Sequence, residues 1–422
     1  MKKIFSIFMS VLLLLLSLSV ANAAEKVTLR VYTRYWGELL KGMEKLVASF
    51  EKLHPEIDIK IENVPWDEYR TKLDAMIAAK VAPDIIFPTA QWTFAYGEQG
   101  ILPLNDFIKA DKFNIDRYFK QVMDCYILDG KVYGLPNDMA AYAIFYNKDM
   151  FDKAGVAYPQ DNWTYDDFLS TAQKLTKDFN GDGRIDQFGG ILGTGDITPI
   201  VASFTGKQVF DNMKNPKKFL YSEPDAIEAL QFIADLVWKY HVSPRPQESA
   251  QMGDLFMTGK TAMIRNGHWM IPDYKTIKSF KWGIAPLPVK KFVANVVDGS
   301  CWSITTSSKH PKEAWEFVKY ICGPVGQKLF MINYEFGTPT LKAVAFSKEW
   351  QFSVPGCDKK AFLNAVLTKG GIGTINYGPL TRTGARIQDE FLAGLDPLWL
   401  GQKSAKDTIE ELAPKIEKLL TQ

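Results

Sequence analysis

Residues 27–87 alternate between two hydrophobic periods, and this alternation restricts the fold more than any other feature of the sequence. Every second residue is apolar in KVTLRVYT and again in EIDIKIENV, which predicts two strands. Between them, apolar residues recur at helical spacing from Leu39 to Leu53. A second helical pattern, from Tyr69 to Ile77, leads to the short apolar run DIIF. The order β-α-β-α-β predicts an α/β fold with a parallel sheet and helices packed on both faces.

The first 23 residues have the features of a secretory leader. Lys2 and Lys3 precede the apolar stretch IFSIFMSVLLLLLSLSV, and residues 21–23 form an A-x-A cleavage site. The apolar run is shorter than the ~20 residues that span a bilayer, which favours a cleaved signal peptide over an anchor. We therefore expect a periplasmic protein whose mature chain begins near Ala24.

The net charge of the chain limits the kinds of partner that it can bind. The chain carries 50 Lys and Arg against 48 Asp and Glu, and loss of Lys2 and Lys3 with the leader would balance the two. A neutral chain argues against nucleic acid or anionic lipid as the main partner.

Four scattered cysteines allow three complete disulfide pairings or buried thiols, and the sequence does not choose between them.

Familiar catalytic signatures are missing from the sequence. The four histidines are far apart, and neither H-E-x-x-H nor G-x-S-x-G occurs. We therefore expect no enzymatic activity. A secreted glycoside hydrolase stays open as an alternative, because it needs only two suitably spaced acids among the 48 present.

A calcium-binding pattern occupies the run DFNGDGRIDQFGG, which begins at residue 178. The helical pattern TYDDFLSTAQKLTKDF, opened by a capping box of Thr164 and Asp167, leads directly into it. The closing Glu of an EF-hand is replaced by Gly189, and no second helix follows, so we expect a structural Ca²⁺ ion rather than a sensor. The predicted ligands are the side chains of Asp178, Asn180, Asp182 and Asp186 with the backbone carbonyl of Arg184.

Four stretches resemble the extracellular solute-binding proteins of ABC sugar importers, the maltose-binding-protein-like family. They are APDIIFPTAQWTFAYGEQGILPLND, GKVYGLPNDMAAYAIFYNKDMF, FMTGKTAMIRNGHWM and DGSCWSITTSSKHPKEAWEFVKYI, and they occur in the family's order. One such stretch would be weak support, whereas four in order across the chain identify it as similar to this family.

The resemblance implies a two-lobed periplasmic-binding-protein fold of type II. Each lobe would be a sheet flanked by helices, and three crossovers would join the lobes near residues 139–142, 296–300 and 337–341. The implied lobes are residues 24–139 with 299–337 and residues 140–298 with 338–422. The ligand would bind between the lobes at the strand ends and be enclosed by hinge closure.

Sugar rings present apolar C–H faces and a hydroxyl-rich edge, so a site needs aromatic planes and polar side chains. The resemblance implies that Trp269 stacks on a ring, and that Gln91 and Trp92 contribute contacts after the third strand. The expected contacts at strand ends and crossovers complete the set: Tyr35, Trp36, Asp138, Gly299 and Ser300.

The expected function is therefore capture of a mono- or oligosaccharide and its delivery to the membrane permease of an ABC transporter. We expect a monomer that requires no cofactor for activity. A second interpretation keeps the fold and changes the solute to a polyamine, a polyol phosphate or a peptide. Arg34, Arg265 and Arg382 keep an anionic solute open.

Overall fold

Strands and helices alternate along the chain in the computed structural model, which describes residues 26–376 and 378–421. The predicted leader, residues 1–23, lies outside the described residues. The strands are β1 Val27–Thr33, β2 Ile57–Asn63, β3 Ile85–Ile86, β4 Ile127–Leu128, β5 Lys131–Val132, β6 Leu135–Pro136, β7 Asp138–Met139, β8 Tyr142–Asn147, β9 Met263–Gly267, β10 Trp282–Ala285, β11 Ala294–Val296, β12 Cys301–Ile304, β13 Thr338–Pro339 and β14 Ile372–Thr374.

The helices are numbered along the chain in the same way. They are α1 Gly37–Leu53, α2 Trp66–Ala78, α3 Ala90–Gly100, α4 Asn105–Ala110, α5 Lys120–Asp124, α6 Lys148–Ala154, α7 Tyr165–Leu175, α8 Thr198–Thr205, α9 Pro224–Trp238, α10 Pro246–Met252, α11 Ile271–Tyr274, α12 Pro311–Ile321, α13 Pro324–Lys328, α14 Lys342–Ala345, α15 Lys348–Gln351, α16 Asn364–Leu367, α17 Gly384–Trp399 and α18 Ala405–Leu420. Short 3-10 turns include His268–Met270 and Lys359–Leu363, and a π-turn covers Leu329–Asn333.

A five-stranded sheet of order β2-β1-β3-β12-β6 contains the predicted β-α-β-α-β unit. Strand β1 pairs in parallel with both β2 and β3, whereas β12 and β6 are added antiparallel. Alternating apolar residues of β1 and the apolar face of α1 are buried together, which explains why the two sequence periods meet at one core. The parallel pairing is as predicted, and the antiparallel additions make the sheet mixed.

A second, three-stranded sheet of order β10-β8-β9 is antiparallel throughout. Helices α7, α8, α9, α17 and α18 contribute buried residues to its core. Helix α7 has the predicted capping box of Thr164 and Asp167 but ends at Leu175, short of the predicted end, because the backbone of Lys177 pairs with Gln187.

The two sheets draw on different parts of the chain. Strands of the first sheet come from residues 27–86, 135–136 and 301–304, and strands of the second come from residues 142–147 and 263–285. Exact lobe boundaries at 139/140, 298/299 and 337/338 stay a prediction.

All four cysteines are buried and none forms a disulfide, which closes the question that the sequence left open. Trp302 and Trp315 are buried core residues. Within the described part of the chain, we find no helix with both the length and the apolar content needed to cross a bilayer.

Candidate functional site

A cleft of about 440 Å³ lies where the chain passes between the two sheets. Its walls come from the ends of strands β1 and β3, the segments near 138–142 and 299–300, and residues beyond β9 and β14. The lining residues are Arg34, Tyr35, Trp36, Trp66, Phe87, Thr89, Asp138, Ala140, Tyr142, Trp269, Gly299, Ser300, Phe336 and Asn376. Six of the eight predicted sugar contacts are therefore brought together.

Three segments cross side by side at the base of this cleft. Strands β7 and β13 pair antiparallel, and the Asn137 amide donates to the Ser300 carbonyl at 2.8 Å. A Cβ at Gly299 would lie 2.3 Å from the Asp138 carbonyl oxygen, and one at Gly337 would lie 2.8 Å from the Asp138 Cβ. Glycine is needed at both places because Asp138 packs directly against each, with its backbone at Gly299 and its side chain at Gly337.

Aromatic rings form the walls of the cleft. Trp36 and Trp66 are 46% and 52% exposed, and the edge of Trp36 meets Phe336 with ring centres 6.2 Å apart. On the opposite sheet, Trp269 meets Tyr142 edge to face at 5.3 Å. Large apolar rings that stay accessible inside a cleft offer flat surfaces to a ligand.

The position of Trp269 depends on a glycine in the preceding strand. A Cβ at Gly267 would lie 2.1 Å from the Trp269 ring, so the ring lies directly over the glycine. The Arg265 guanidinium lies over the Tyr142 ring, 4.4 Å from its centre. Contacts with Arg265 and with the Gly267 backbone thus hold Tyr142 and Trp269 in place.

Arg34 supplies a buried positive charge to the cleft. It is 5% exposed, its guanidinium donates to the Phe87 carbonyl and, at 2.6 Å, to Ser300 Oγ, and it forms no ion pair with any described residue. The rings of Phe87 and Trp66 lie 4.5 and 4.6 Å from its central carbon. Burial lowers the pKa of Arg34, and nearby Asp138 opposes that shift.

Asp138 supplies the matching negative charge. It is 7% exposed and accepts a hydrogen bond from Asn137 Nδ2 at 3.1 Å. Burial raises its pKa to about 6, although Asn137, Arg34 and the Ser300 amide favour the ionised form. A buried carboxylate and a buried guanidinium in one cleft can bind the donors and acceptors of a polyhydroxylated ligand at the same time.

Gln91 and Trp92 are buried behind the wall instead of lining the cleft. Gln91 is 2% exposed, and its Nε2 donates to Asp298 Oδ2 and to the Asn376 carbonyl, both at 3.0 Å. Trp92 packs on Trp66 at 5.5 Å between ring centres. Helix α3 begins at Ala90, and its first turn points both side chains into the interior.

Asp298, which Gln91 contacts, is the second buried carboxylate at the crossing segments. It is fully buried, and burial together with nearby Asp196 raises its pKa to about 7. Its Oδ1 also accepts the Asn376 amide at 3.4 Å. Gln91 and Asp298 together hold the Asn376 backbone at the cleft, so Gln91 acts as a tether.

Several lining residues were not predicted as contacts. Trp66 follows strand β2 and could have been found from its place at a strand end, like Trp36 after β1. Phe336 and Asn376 lie in segments with no periodic pattern, and the sequence carries no signal for them. Arg34 and Tyr142 were noted, the first for an anionic solute and the second at the first crossover, but neither was assigned to the sugar site.

The predicted calcium loop forms a tight turn away from the cleft. The Asp178 carboxylate accepts the amides of Gly181 at 2.7 Å and Gly183 at 2.9 Å, and these bonds lower its pKa. Asp186 accepts the Phe179 amide at 2.8 Å. Across residues 26–376 and 378–421, no group of three or more His, Cys, Asp or Glu side chains is arranged to hold a metal. The five-ligand calcium site stays a prediction.

The fold places an aromatic-walled cleft between its two larger sheets, beside the crossing segments. The sequence model of the family described as bacterial extracellular solute-binding protein matches residues 36–328, so the chain belongs to that family. This confirms the family that the four sequence stretches indicated.

Relatives match over most of their length. A protein of Brucella abortus (strain 2308) named only as a binding protein is 27% identical over 411 residues, 95% of both chains. The arabinooligosaccharide-binding protein of Halalkalibacterium halodurans is 25% identical over 74% of this chain and 72% of its own.

Solved structures support the fold. An ABC substrate-binding protein of Listeria monocytogenes in complex with cycloalternan has a TM-score of 0.84 at 23% identity, covering 94% of this chain and 99% of that one. The maltose/maltodextrin-binding domain of Bdellovibrio bacteriovorus, bound to maltotriose, has a TM-score of 0.75 at 19% identity, covering 94% and 100%. At these identities the likeness establishes the type II binding-protein fold, as predicted.

Proposed function

We propose that this protein is the substrate-binding component of an ABC importer and that it captures a neutral sugar or oligosaccharide in the cleft. The observation that carries the proposal is the combination of accessible rings with buried charge. Trp36, Trp66 and Trp269 present apolar planes, while Arg34 and Asp138 present a donor and an acceptor. Sugars combine the same two kinds of surface.

The charge balance of the cleft supports a ligand without net charge. Arg34 and Asp138 both line it, and each carries the opposite sign of the other. A phosphate would face the like charge of Asp138, and a polyamine would face the like charge of Arg34. Either repulsion is costly at low dielectric. Relatives whose names give a ligand point the same way, since they are named for arabino-oligosaccharides and for melibiose, raffinose and stachyose.

The protein would work outside the cytoplasm as a monomer without catalytic activity. Its family is described as extracellular, and its N-terminal sequence predicts export into the periplasm. Ligand contacts from both sheets would favour the closed form, and this form would deliver the sugar to the membrane permease.

Thermal melting of the mature chain, residues 24–422, against a panel of solutes tests the proposal. The panel contains maltotriose, mannotriose, arabino-oligosaccharides, spermidine, glycerol 3-phosphate and a short peptide. A solute at ~100 times its Kd adds roughly 2.7 kcal/mol to the free energy of unfolding. A shift with sugars, lost in Trp269→Ala, supports the proposal.

Other outcomes would replace the proposal with an alternative. A shift only with spermidine, glycerol 3-phosphate or peptide would keep the receptor and exclude the sugar. Release of smaller sugars during incubation with an oligosaccharide would identify a hydrolase. If no solute shifts the curve, mass analysis of solute released on unfolding should identify a sugar; its absence would contradict the proposal.

A further inference from the structure

A buried charged pair, Glu335 and Lys359, lies beside the part of the cleft wall that Phe336 forms. The ammonium of Lys359 contacts Glu335 Oε2, and the two side chains are 0% and 2% exposed. Lys275, at the surface, approaches Glu335 Oε1 at 3.9 Å. Glu335 immediately precedes Phe336, which lines the cleft.

The pair joins parts of the chain that belong to different layers. Glu335 lies between the π-turn Leu329–Asn333 and strand β13, one of the crossing strands. Lys359 begins the 3-10 turn Lys359–Leu363, which packs on strands β8 and β10 of the second sheet. The contact therefore connects the third crossing segment to the second sheet.

The backbone at Glu335 is held in an unfavourable conformation. Its φ is +54°, a left-handed value that non-glycine residues rarely adopt. The next two residues are Phe336 and Gly337, and Gly337 packs against Asp138. A strained residue persists only where its surroundings fix it, and such residues concentrate at functional sites. The buried group in contact with the Glu335 carboxylate is the Lys359 ammonium.

The surroundings of the pair are polar and incompletely satisfied. Trp350 Nε1 is buried without a hydrogen-bond partner, and Glu335 Oε1 has only the Lys275 ammonium at 3.9 Å. His268 stacks on Trp350 at 5.7 Å, and the Lys359 ammonium lies 4.7 Å from the Trp350 ring centre. A buried ion pair among unpaired polar atoms adds little to stability compared with apolar residues of the same shape. Its presence beside the cleft therefore needs another explanation.

We propose that the Glu335–Lys359 pair is a positioning element of the binding site. It holds the third crossing segment against the second sheet, so that Phe336 and, through His268, the neighbouring Trp269 keep fixed places in the cleft. Neither charged residue touches the ligand, yet ligand affinity depends on the pair. The part of this inference that concerns affinity rests on the proposed sugar-binding function.

The decisive variant removes both charges together. Glu335→Gln with Lys359→Met leaves no uncompensated buried charge, so it should fold and melt close to the parent. The single variant Lys359→Met leaves the buried Glu335 carboxylate without its partner, so it is expected to be unstable. Lys403→Met is the matched control, because Lys403 forms an ion pair with Glu411 at the surface of helix α18.

Hydrogen exchange tests the positioning without any ligand. In the double variant, amides of residues 336–341 should exchange roughly tenfold faster, while those of helix α12 stay as in the parent. Lys403→Met should leave both segments unchanged. Unchanged exchange at 336–341 in a folded double variant would overturn the inference, whether or not the protein binds sugar.

Affinity is measured with maltotriose and mannotriose as probes. The double variant should bind whichever probe the parent binds about tenfold more weakly, and an equal affinity would overturn the inference. If the parent binds neither probe nor any other sugar, the proposed function fails, and the exchange result alone decides the positioning role.

The pH profile of affinity separates positioning from simple packing. The groups around the Lys359 ammonium are Glu335, Lys275, Cys357 and the neutral His268, and burial lowers the pKa of Lys359 to about 8. Affinity for a neutral sugar should fall as pH rises above about 8 in the parent and stay level in the double variant. Because the pKa of Lys359 is lower in the folded than in the unfolded state, its titration raises the free energy of unfolding as pH rises above 8. Unfolding therefore does not explain the loss of affinity. A level parent profile would contradict the role.

Discussion

Replacement of Asp138 by Asn should stabilise the ligand-free protein while weakening binding. The carboxyl is 7% exposed, and burial raises its pKa from 3.8 to about 6. The folded protein therefore holds this proton more tightly than the unfolded chain, and the ionised form costs free energy above pH 6. At pH 7 the cost is about 3 kcal/mol, the logarithmic difference between the two titrations at 1.36 kcal/mol per pKa unit.

The same calculation predicts how the effect changes with pH. Protonation relieves the cost as pH falls from 6 towards 3.8, so the advantage of Asp138→Asn should shrink to about 1 kcal/mol at pH 4.5. These values are upper limits, because Asn accepts the hydrogen bonds from Asn137 and Ser300 less strongly than a carboxylate.

Chemical unfolding of the parent and the variant at pH 4.5 and pH 7 measures both values. Calorimetry at pH 7 with the sugar found by the melting panel should give about tenfold lower affinity, because a charged acceptor becomes neutral. A variant that is less stable than the parent by the same margin at both pH values would refute the reasoning, since the carboxylate would then stabilise the fold.

Three further predictions concern the wall, the tether and the loop. Trp269→Ala should lower sugar affinity at least tenfold, since stacking contributes about 1 kcal/mol beyond burial, and Gly267→Ala should do nearly as much by displacing the ring; unchanged calorimetric affinity in folded variants would contradict this. Gln91→Leu should lower the free energy of unfolding by about 1–3 kcal/mol, because it leaves the buried Asp298 Oδ2 without its donor. Weaker binding at unchanged stability would instead indicate that Gln91 contacts the ligand directly. If the loop at 178–186 binds Ca²⁺, a chelator should lower the melting temperature and metal analysis should find the ion. If neither is observed, the loop is a polar turn without a metal.

The sequence predicted those parts of the site that depend on strand ends. Tyr35 and Trp36 follow β1 and Asp138 lies in β7, so the ends of regular elements bring them together. Trp269, which follows β9, was expected only from the family resemblance. Hydrophobic periodicity fixes those elements, and the topology of an α/β fold collects their ends on one edge.

Gln91 is buried beside the cleft instead of lining it, and the reason is local. The segment PTAQW reads as a loop, but helix α3 begins within it at Ala90, and the helical turn directs Gln91 and Trp92 inward. The direction of a side chain depends on where its element begins, and sequence patterns locate such boundaries only to within a few residues.

Contacts between distant segments had no sequence signal. Glu335 and Lys359 are 24 residues apart, and neither belongs to a periodic pattern. Asn376 reaches the cleft because Asp298 and Gln91 hold its backbone, and those two are 207 residues apart. Such pairs are set by the packing of whole layers, which one sequence does not encode locally.

The distribution of buried charge indicates what the crossing segments cost the protein. Among the described residues, the buried charged side chains all lie in the cleft, in a crossing segment or directly behind one: Arg34, Asp138, Asp196, Arg265, Asp298, Glu335 and Lys359. The two cores themselves are apolar. Burial of charge opposes folding, so the protein carries that cost beside the cleft where we propose that the ligand binds. Neutral replacements of similar shape should therefore stabilise the ligand-free chain at Asp138, and removal of both charges should be tolerated at Glu335 and Lys359. At both places the loss should appear in binding.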